Sequence, residues 1–148
     1  MSNIYLFDVD GTLTPAKAKI TQPFKKALQR WMRDKEVYIV SGGDFVRLID
    51  QLGMDIMEMT SGVFSCMGNM FYQRREQINH SGCSEWDIVY ENKFKEARNL
   101  TRVLDSIAAK SDFPVKTGTH WERRPGMINF SVVGIDATVE ERQKYKEW

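Results

Sequence analysis

Histidine and cysteine are scarce, two of each among 148 residues, and that scarcity removes several chemistries at once. His80 and His120 have no matching partners and are expected to be structural. Sixteen residues separate Cys66 and Cys83, and neither belongs to a second metal-spaced pair, which argues against a zinc module. Both are expected as free structural thiols, as a reducing compartment would keep them. Charge of one sign is lacking too. Against 21 Lys and Arg stand 20 Asp and Glu, a formal net charge of +1, so neither nucleic acid nor an anionic membrane is expected as a main partner. No apolar run approaches transmembrane length. The apolar opening is cut by Asp8 and has no basic leader, unlike a signal peptide, so a cytoplasmic protein is expected. With 42% hydrophobic and 28% charged residues, the balance is that of an ordinary globular chain of one domain or two small ones.

What is present is concentrated in Asn3-Ile-Tyr-Leu-Phe-Asp-Val-Asp-Gly-Thr-Leu-Thr14. Tyr5, Leu6 and Phe7 form the short apolar run expected of a buried parallel strand, and Gly11 lets the chain leave it sharply. Asp8 and Asp10 then sit at the strand's carboxyl end, where ligands bind in open α/β sheets. Residues i and i+2 of an extended segment point the same way. Two carboxylates facing one centre can divide the work of phosphoryl transfer: one attacks phosphorus, and the other protonates the leaving oxygen and later deprotonates the incoming hydroxyl. Their mutual repulsion calls for Mg²⁺, with Asp8 and Asp10 as ligands. A polar turn after a strand would also use Asp and Gly. A calcium loop is excluded, because its sixth and twelfth positions, Gly and Glu, are Leu13 and Lys19 here.

Phe7-Asp-Val-Asp-Gly-Thr-Leu-Thr14 resembles the first motif of the haloacid-dehalogenase (HAD) superfamily, and within it the eukaryotic-type phosphomannomutases. The resemblance implies that Asp8 is the nucleophile and Asp10 the general acid/base.

The rest of the chain supports an α/β reading. Phe24, Ala27, Leu28, Trp31 and Met32 mark a helix face, capped at Thr21 or Gln22, with Pro23 in its first turn. Glu36 to Val40 is a strand ending in Ser41-Gly42-Gly43-Asp44. Phe45, Leu48, Ile49 and Leu52 then outline a helix closed by Gly53. This order implies a parallel sheet with right-handed crossovers. Ser41 falls beside the aspartates, where its hydroxyl and the amides near Gly42 can hold a phosphoryl oxygen; equally, it can be a helix N-cap. A Ser closing a hydrophobic strand also resembles the superfamily's second motif, here with Ser41 before the glycines, as in many sugar phosphatases of the superfamily. Residues 54–72 contain five methionines and are expected as short strands with methionine as core filler. Where the family has Glu-Asn-Gly, this chain has Cys66-Met67-Gly68.

His80-Ser-Gly-Cys-Ser84 has the composition of a linker, which divides the chain into a HAD-like Rossmannoid core, residues 1–79, and an α+β cap, residues 80–148. In the cap, Phe94, Ala97, Leu100, Leu104, Ile107 and Ala108 predict a helix within 91–110, with Glu91 and Lys95 as an i,i+4 pair. Strands over 115–123 and 127–133 flank a turn at Arg124-Pro125-Gly126, and a helix opens at Val139. Residues Gly118 to Gly134 resemble the phosphomannomutase pattern Gly-Thr-x-x-Glu-x-Arg-x-Gly-Met-x-Asn-x-Ser-x-x-Gly-Arg, which Glu141-Arg142 continues. The resemblance implies substrate binding by Arg124, Asn129 and Arg142, with planar arginine suited to the phosphate that is not reacting. A third arginine of the pattern falls on Ile135, and a fourth, just after the first motif, on Lys17.

The family's stabilising lysine and its metal-binding Gly-Asp motif have no counterpart in these 148 residues. Weak Mg²⁺ binding is therefore expected, and an exposed sheet edge open to a second copy or a complementing chain. The resemblance implies a Mg²⁺-dependent phosphotransferase interconverting hexose 1- and 6-phosphates, mannose phosphate first, with a sugar bisphosphate as activator. A sugar-phosphate phosphatase and a non-catalytic sugar-phosphate-binding module are the alternatives.

Overall fold

The computed structural model describes residues 3–78 and 84–148. His80 and Cys83, and with them most of the expected linker, lie outside the described residues. The chain forms two compact units, Met1–Lys93 and Phe94–Trp148.

The first unit is a five-stranded sheet with helices. Its elements are β1 (Ile4–Asp8), α1 (Gln22–Met32), β2 (Glu36–Val40), α2 (Phe45–Leu52), α3 (Met54–Met57), β3 (Gly62–Ser65), β4 (Met70–Ile78) and β5 (Ser84–Glu91). The strands lie in the order β1-β2-β3-β4-β5. The first three are parallel, as the strand-helix alternation predicts, and β4 and β5 extend the sheet antiparallel. The division drawn from sequence at residue 80 falls inside the β4–β5 hairpin. Its strands pair from Met70 with Glu91 to Ile78 with Ser84, so hydrogen bonding carries the chain past residue 80 before it leaves the first unit.

The core forms where Val37 and Ile39 of β2 and Val63 of β3 meet Leu28 and Met32 of α1, Leu48 and Leu52 of α2, and Ile56 and Met57 of α3. Tyr5 and Phe7 pack edge-on against Trp31 of α1. Strand alternation sends the intervening residues to the opposite face. There Ile4 and Leu6 are 56% and 61% exposed, and with Tyr38, Phe64 and Phe71 they line an apolar hollow of about 310 Å³. β1 is therefore covered on one face only, a correction to its expected two-sided burial.

Both predicted helices of this unit form. Thr21 is the N-cap of α1, with Pro23 in its first turn. The Asp44 side chain caps α2, and Gly53, at φ 87°, closes it. Of the methionines in 54–72, Met57 and Met70 fill the core while Met54 and Met67 are exposed. Cys66, Met67 and Gly68 all adopt positive φ, 51°, 59° and 83°. That conformation is strained for Cys and Met, whereas Asn tolerates it. Met67→Asn should stabilise the protein by about 0.5–1 kcal/mol, read as a higher urea midpoint at unchanged slope.

The second unit holds α4 (Leu100–Lys110), β6 (Trp121–Arg124), β7 (Met127–Phe130) and α5 (Val139–Glu147). α4 begins later than the periodicity from residue 91 suggests. Glu91 ends β5, and Asn99, at φ 68°, sits left-handed at the helix start, where a longer helix could not pass. The pairing of Glu91 with Lys95 gives way to an exposed pair with Lys93. β6 and β7 form a tight antiparallel hairpin around Pro125-Gly126, shorter than the strands expected. A small core of Phe113, Val133 and Ala137 packs with Val115 and Tyr145. α5 opens on a capping box between Thr138 and Glu141. The Thr138 backbone N–H, helped by the Thr117 hydroxyl, holds the Glu141 carboxyl below its usual range. Among the described residues no helix is long and apolar enough to cross a membrane.

Candidate active site

Asp8 ends β1 opposite Val40, the last residue of β2, so Ser41 follows at the carboxyl end of the neighbouring parallel strand. Val9 is completely buried while Asp8 and Asp10 on either side are exposed. The core thus takes the apolar residue and leaves the two carboxylates outside it, as the i, i+2 spacing predicts.

The loop beyond is held by one carbonyl. The backbone N–H groups of Thr12, Leu13 and Thr14 all point to the Val9 oxygen, at 3.2, 3.0 and 3.0 Å. Gly11, at φ 84°, turns the chain so that its own N–H reaches Thr14 O at 2.7 Å. Asp10 is fixed from two directions: Lys17 N–H and Gln51 Nε2 both donate to its Oδ1 at 2.8 Å. Lys17 reaches it from a left-handed conformation, φ 62°, so this contact uses the lysine's backbone. Beside the loop, Gly11 to Pro15, Thr21 and Phe24 line a hollow of about 420 Å³.

Ser41 is 4% exposed, and its Oγ accepts the Gly43 N–H at 3.1 Å. The helix cap belongs to Asp44, whose carboxylate accepts from Arg47 N–H at 2.8 Å, so Ser41 shapes the turn before α2 instead. The strained turn packs on this loop: Met67 N–H donates to Ser41 O at 3.0 Å and Cys66 N–H to Gly43 O at 2.9 Å. A Cβ added at Gly42 would come within 3.2 Å of the Met67 sulfur. Asp8 at the end of β1 thus lies at the same sheet edge as the loops that carry Asp10, Lys17, Ser41 and Gly42.

Hard oxygen donors suit Mg²⁺, which is commonly held by one or two carboxylates with phosphate and water completing an octahedron. Asp8 and Asp10 fit that pattern, and no cluster of three or more acidic, His or Cys side chains exists among the described residues to hold the ion alone.

In the second unit the hairpin register sets Glu122 opposite Asn129. Glu122 accepts from Arg124 Nε at 2.7 Å and from Asn129 Nδ2 at 3.3 Å, so Arg124 and Asn129 share a carboxylate. Arg142 reaches back from α5 to the carbonyls of Gly134, Ile135 and Ala137 at 3.0, 2.7 and 3.1 Å. Ile135, where the family pattern has arginine, is 8% exposed. Sequence reasoning missed Gln51. The signal was available, since Gln51 follows Leu48 by three residues and so falls on the apolar side of α2, where a polar side chain is out of place.

The family model described as eukaryotic phosphomannomutase matches residues 24–148. A phosphomannomutase from Dendrobium officinale is 35% identical over 145 residues, covering 98% of this chain and 56% of that protein. One from Saccharomyces cerevisiae is 32% identical over 146 residues, covering 98% and 55%. The chain thus spans about half the length of the curated relatives it matches. In fold it is similar to an IMP-nucleotidase from Plasmodium falciparum, with a TM-score of 0.51 and 14% identity over 86% of this chain and 38% of that one.

Proposed function

Because the chain belongs to the eukaryotic phosphomannomutase family of the HAD superfamily, we propose that it serves a phosphoryl transfer interconverting hexose 1- and 6-phosphates, mannose phosphate first. The observation that carries this reading is the exposed pair Asp8 and Asp10 flanking buried Val9 at a parallel strand's carboxyl end. An Asp8 oxygen attacks phosphorus as the bond to the sugar oxygen breaks, and Asp10 gives that oxygen its proton. In return, Asp10 takes the proton of the incoming hydroxyl while the phosphoryl group leaves Asp8. Ser41 Oγ and the amide of Gly42 steady the phosphoryl oxygens. Asp8 and Asp10 would hold Mg²⁺, whose chemistry there is to screen the charge on phosphate.

Arg124, Asn129 and Arg142 of the second unit bind the phosphate that is not reacting, and Lys17 adds positive charge beside the first motif. A hexose bisphosphate primes Asp8. The outer edge of β1 is where a second copy or a complementing chain would add. The free, buried Cys66 accords with a cytoplasmic setting.

The test is to follow mannose 1-phosphate with catalytic hexose bisphosphate and Mg²⁺ by phosphorus NMR. Growth of the 6-phosphate signal is expected. Release of inorganic phosphate instead would make the protein a phosphatase, and binding without turnover would make it a non-catalytic module. Either result overturns the proposal.

A further inference from the structure

Cys66 and Met67 hold left-handed backbones in succession, φ 51° and 59°, a conformation that neither side chain favours. Hydrogen bonds keep the turn from relaxing. The Cys66 carbonyl oxygen accepts from Asn69 N–H at 3.2 Å and from Asn69 Nδ2 at 3.0 Å. Asn92, just beyond β5, donates to Asn69 O at 2.8 Å and to its Oδ1 at 3.0 Å. The strained segment therefore has a fixed place, against the loop of Ser41 and Gly43 that its own N–H groups bind. Cys66 is completely buried, whereas Met67 is 70% exposed. An exposed methionine fills no core, and strain retained beneath one points to a task at the surface.

The Met67 sulfur marks where that task lies. It would stand 3.2 Å from a Cβ at Gly42, and Gly42 lies in the loop after β2, the parallel neighbour of the strand that carries Asp8. We propose that Met67 is a specificity-determining residue: its thioether covers the phosphoryl group on Asp8 beside Gly42 and keeps water from it, so that phosphate passes to a sugar hydroxyl. This rests on the function proposed above. In the competing step a water oxygen bonds to phosphorus as the bond to the Asp8 oxygen breaks, and both water protons leave on the phosphate as dihydrogen phosphate. A thioether is only a weak acceptor, so it holds no water over the group it covers, and its unbranched chain bends aside for a sugar.

The test gives the full chain, unsubstituted and as Met67→Asn, Met67→Ala and Met67→Leu, mannose 1-phosphate with catalytic hexose bisphosphate and Mg²⁺. Phosphorus NMR reads the inorganic phosphate released per hexose phosphate interconverted. The asparagine and alanine variants should raise that ratio about tenfold, and leucine, apolar and of similar volume, should hold it within about twofold. Asparagine suits the turn, so its variant should gain hydrolysis while unfolding at higher urea, which loss of structure would not do. A ratio unchanged in Met67→Asn and Met67→Ala, or raised as far by Met67→Leu, would overturn the assignment. A second measurement needs no turnover. Mannose 1-phosphate alone should slow oxidation of the Met67 thioether by hydrogen peroxide about fivefold, read by peptide mass spectrometry, and leave exposed Met54 on α3 within about twofold. Equal rates at Met67 with and without the sugar phosphate would overturn the assignment too. Protection of Met67 in an unsubstituted chain that interconverts nothing would instead sink the functional reading on which it rests.

Discussion

Asp8→Asn should lower hexose phosphate interconversion by about 10⁴-fold or more, while leaving the melting temperature within about 2 °C. The amide has the size of the carboxylate but a far weaker nucleophile, so the bond to phosphorus is not made. A loss of 10⁴ corresponds to about 5.5 kcal/mol of barrier. Stability should hold because the Asp8 side chain is exposed at the end of β1, and the strand pairing belongs to its backbone. Turnover and thermal melting of the same preparation check both halves. A variant that keeps more than about a tenth of the activity would remove Asp8 from the nucleophile's role.

Gly134→Ala should cost the second unit about 3 kcal/mol or more. Gly134 has φ 114°, and a Cβ there would lie 1.7 Å from the carbonyl oxygen of Thr117 and 2.7 Å from its carbon. Those atoms are main chain and cannot swing aside. Thr117 N–H donates to Val133 O and Ile135 N–H to Thr119 O, each at 2.7 Å, while Arg142 grips the Gly134 and Ile135 carbonyls. The collision would push apart segments that are stitched together from both sides. Gly118→Ala is the control: its Cβ would meet the Asp136 carboxylate, a side chain able to rotate, although φ 67° still carries a penalty, so a loss of about 1 kcal/mol is expected. Amide hydrogen exchange resolved along the chain checks the pair. Protection should collapse within 94–148 for Gly134→Ala and persist in β1, β2 and β3.

The same glycine shows how far the sequence could be read. The cap pattern marks Gly134 as a matching position, but its reason, the close approach of Thr117, is a contact between segments that no local spacing reveals. Asp8, Val9 and Asp10 were legible because alternation along a strand is a local property, and α1 and α2 because their apolar spacing, Pro23, Asp44 and Gly53 agree with one another. β5 was not legible. Its Trp86 to Glu91 run mixes charged and apolar residues on a strand paired only on its β4 side, so neither clean alternation nor a continuous apolar run marks it. The helix expected from residue 91 failed at Asn99, whose backbone is left-handed. Around Asp10 the motif gave the carboxylate, while the two groups that orient it come from farther along the chain: a backbone amide at Lys17 and a side chain at Gln51.

The parallel pairing also sets a schedule. Ile4–Asp8 can find its ladder only when Glu36–Val40 has been made, and that strand gains its second neighbour only with Gly62–Phe64. The β6–β7 hairpin, by contrast, closes on itself across two residues and can form in about 1–10 μs. At about 5–20 residues per second on a ribosome, the strand carrying Asp8 waits seconds for its partner, with Ile4, Tyr5, Leu6 and Phe7 in water. Contacts so distant in sequence also slow refolding of the finished chain. The segment that carries Asp8 is thus translated before its partner strand and ordered late, and a nascent chain passes through an interval in which this apolar strand is unprotected.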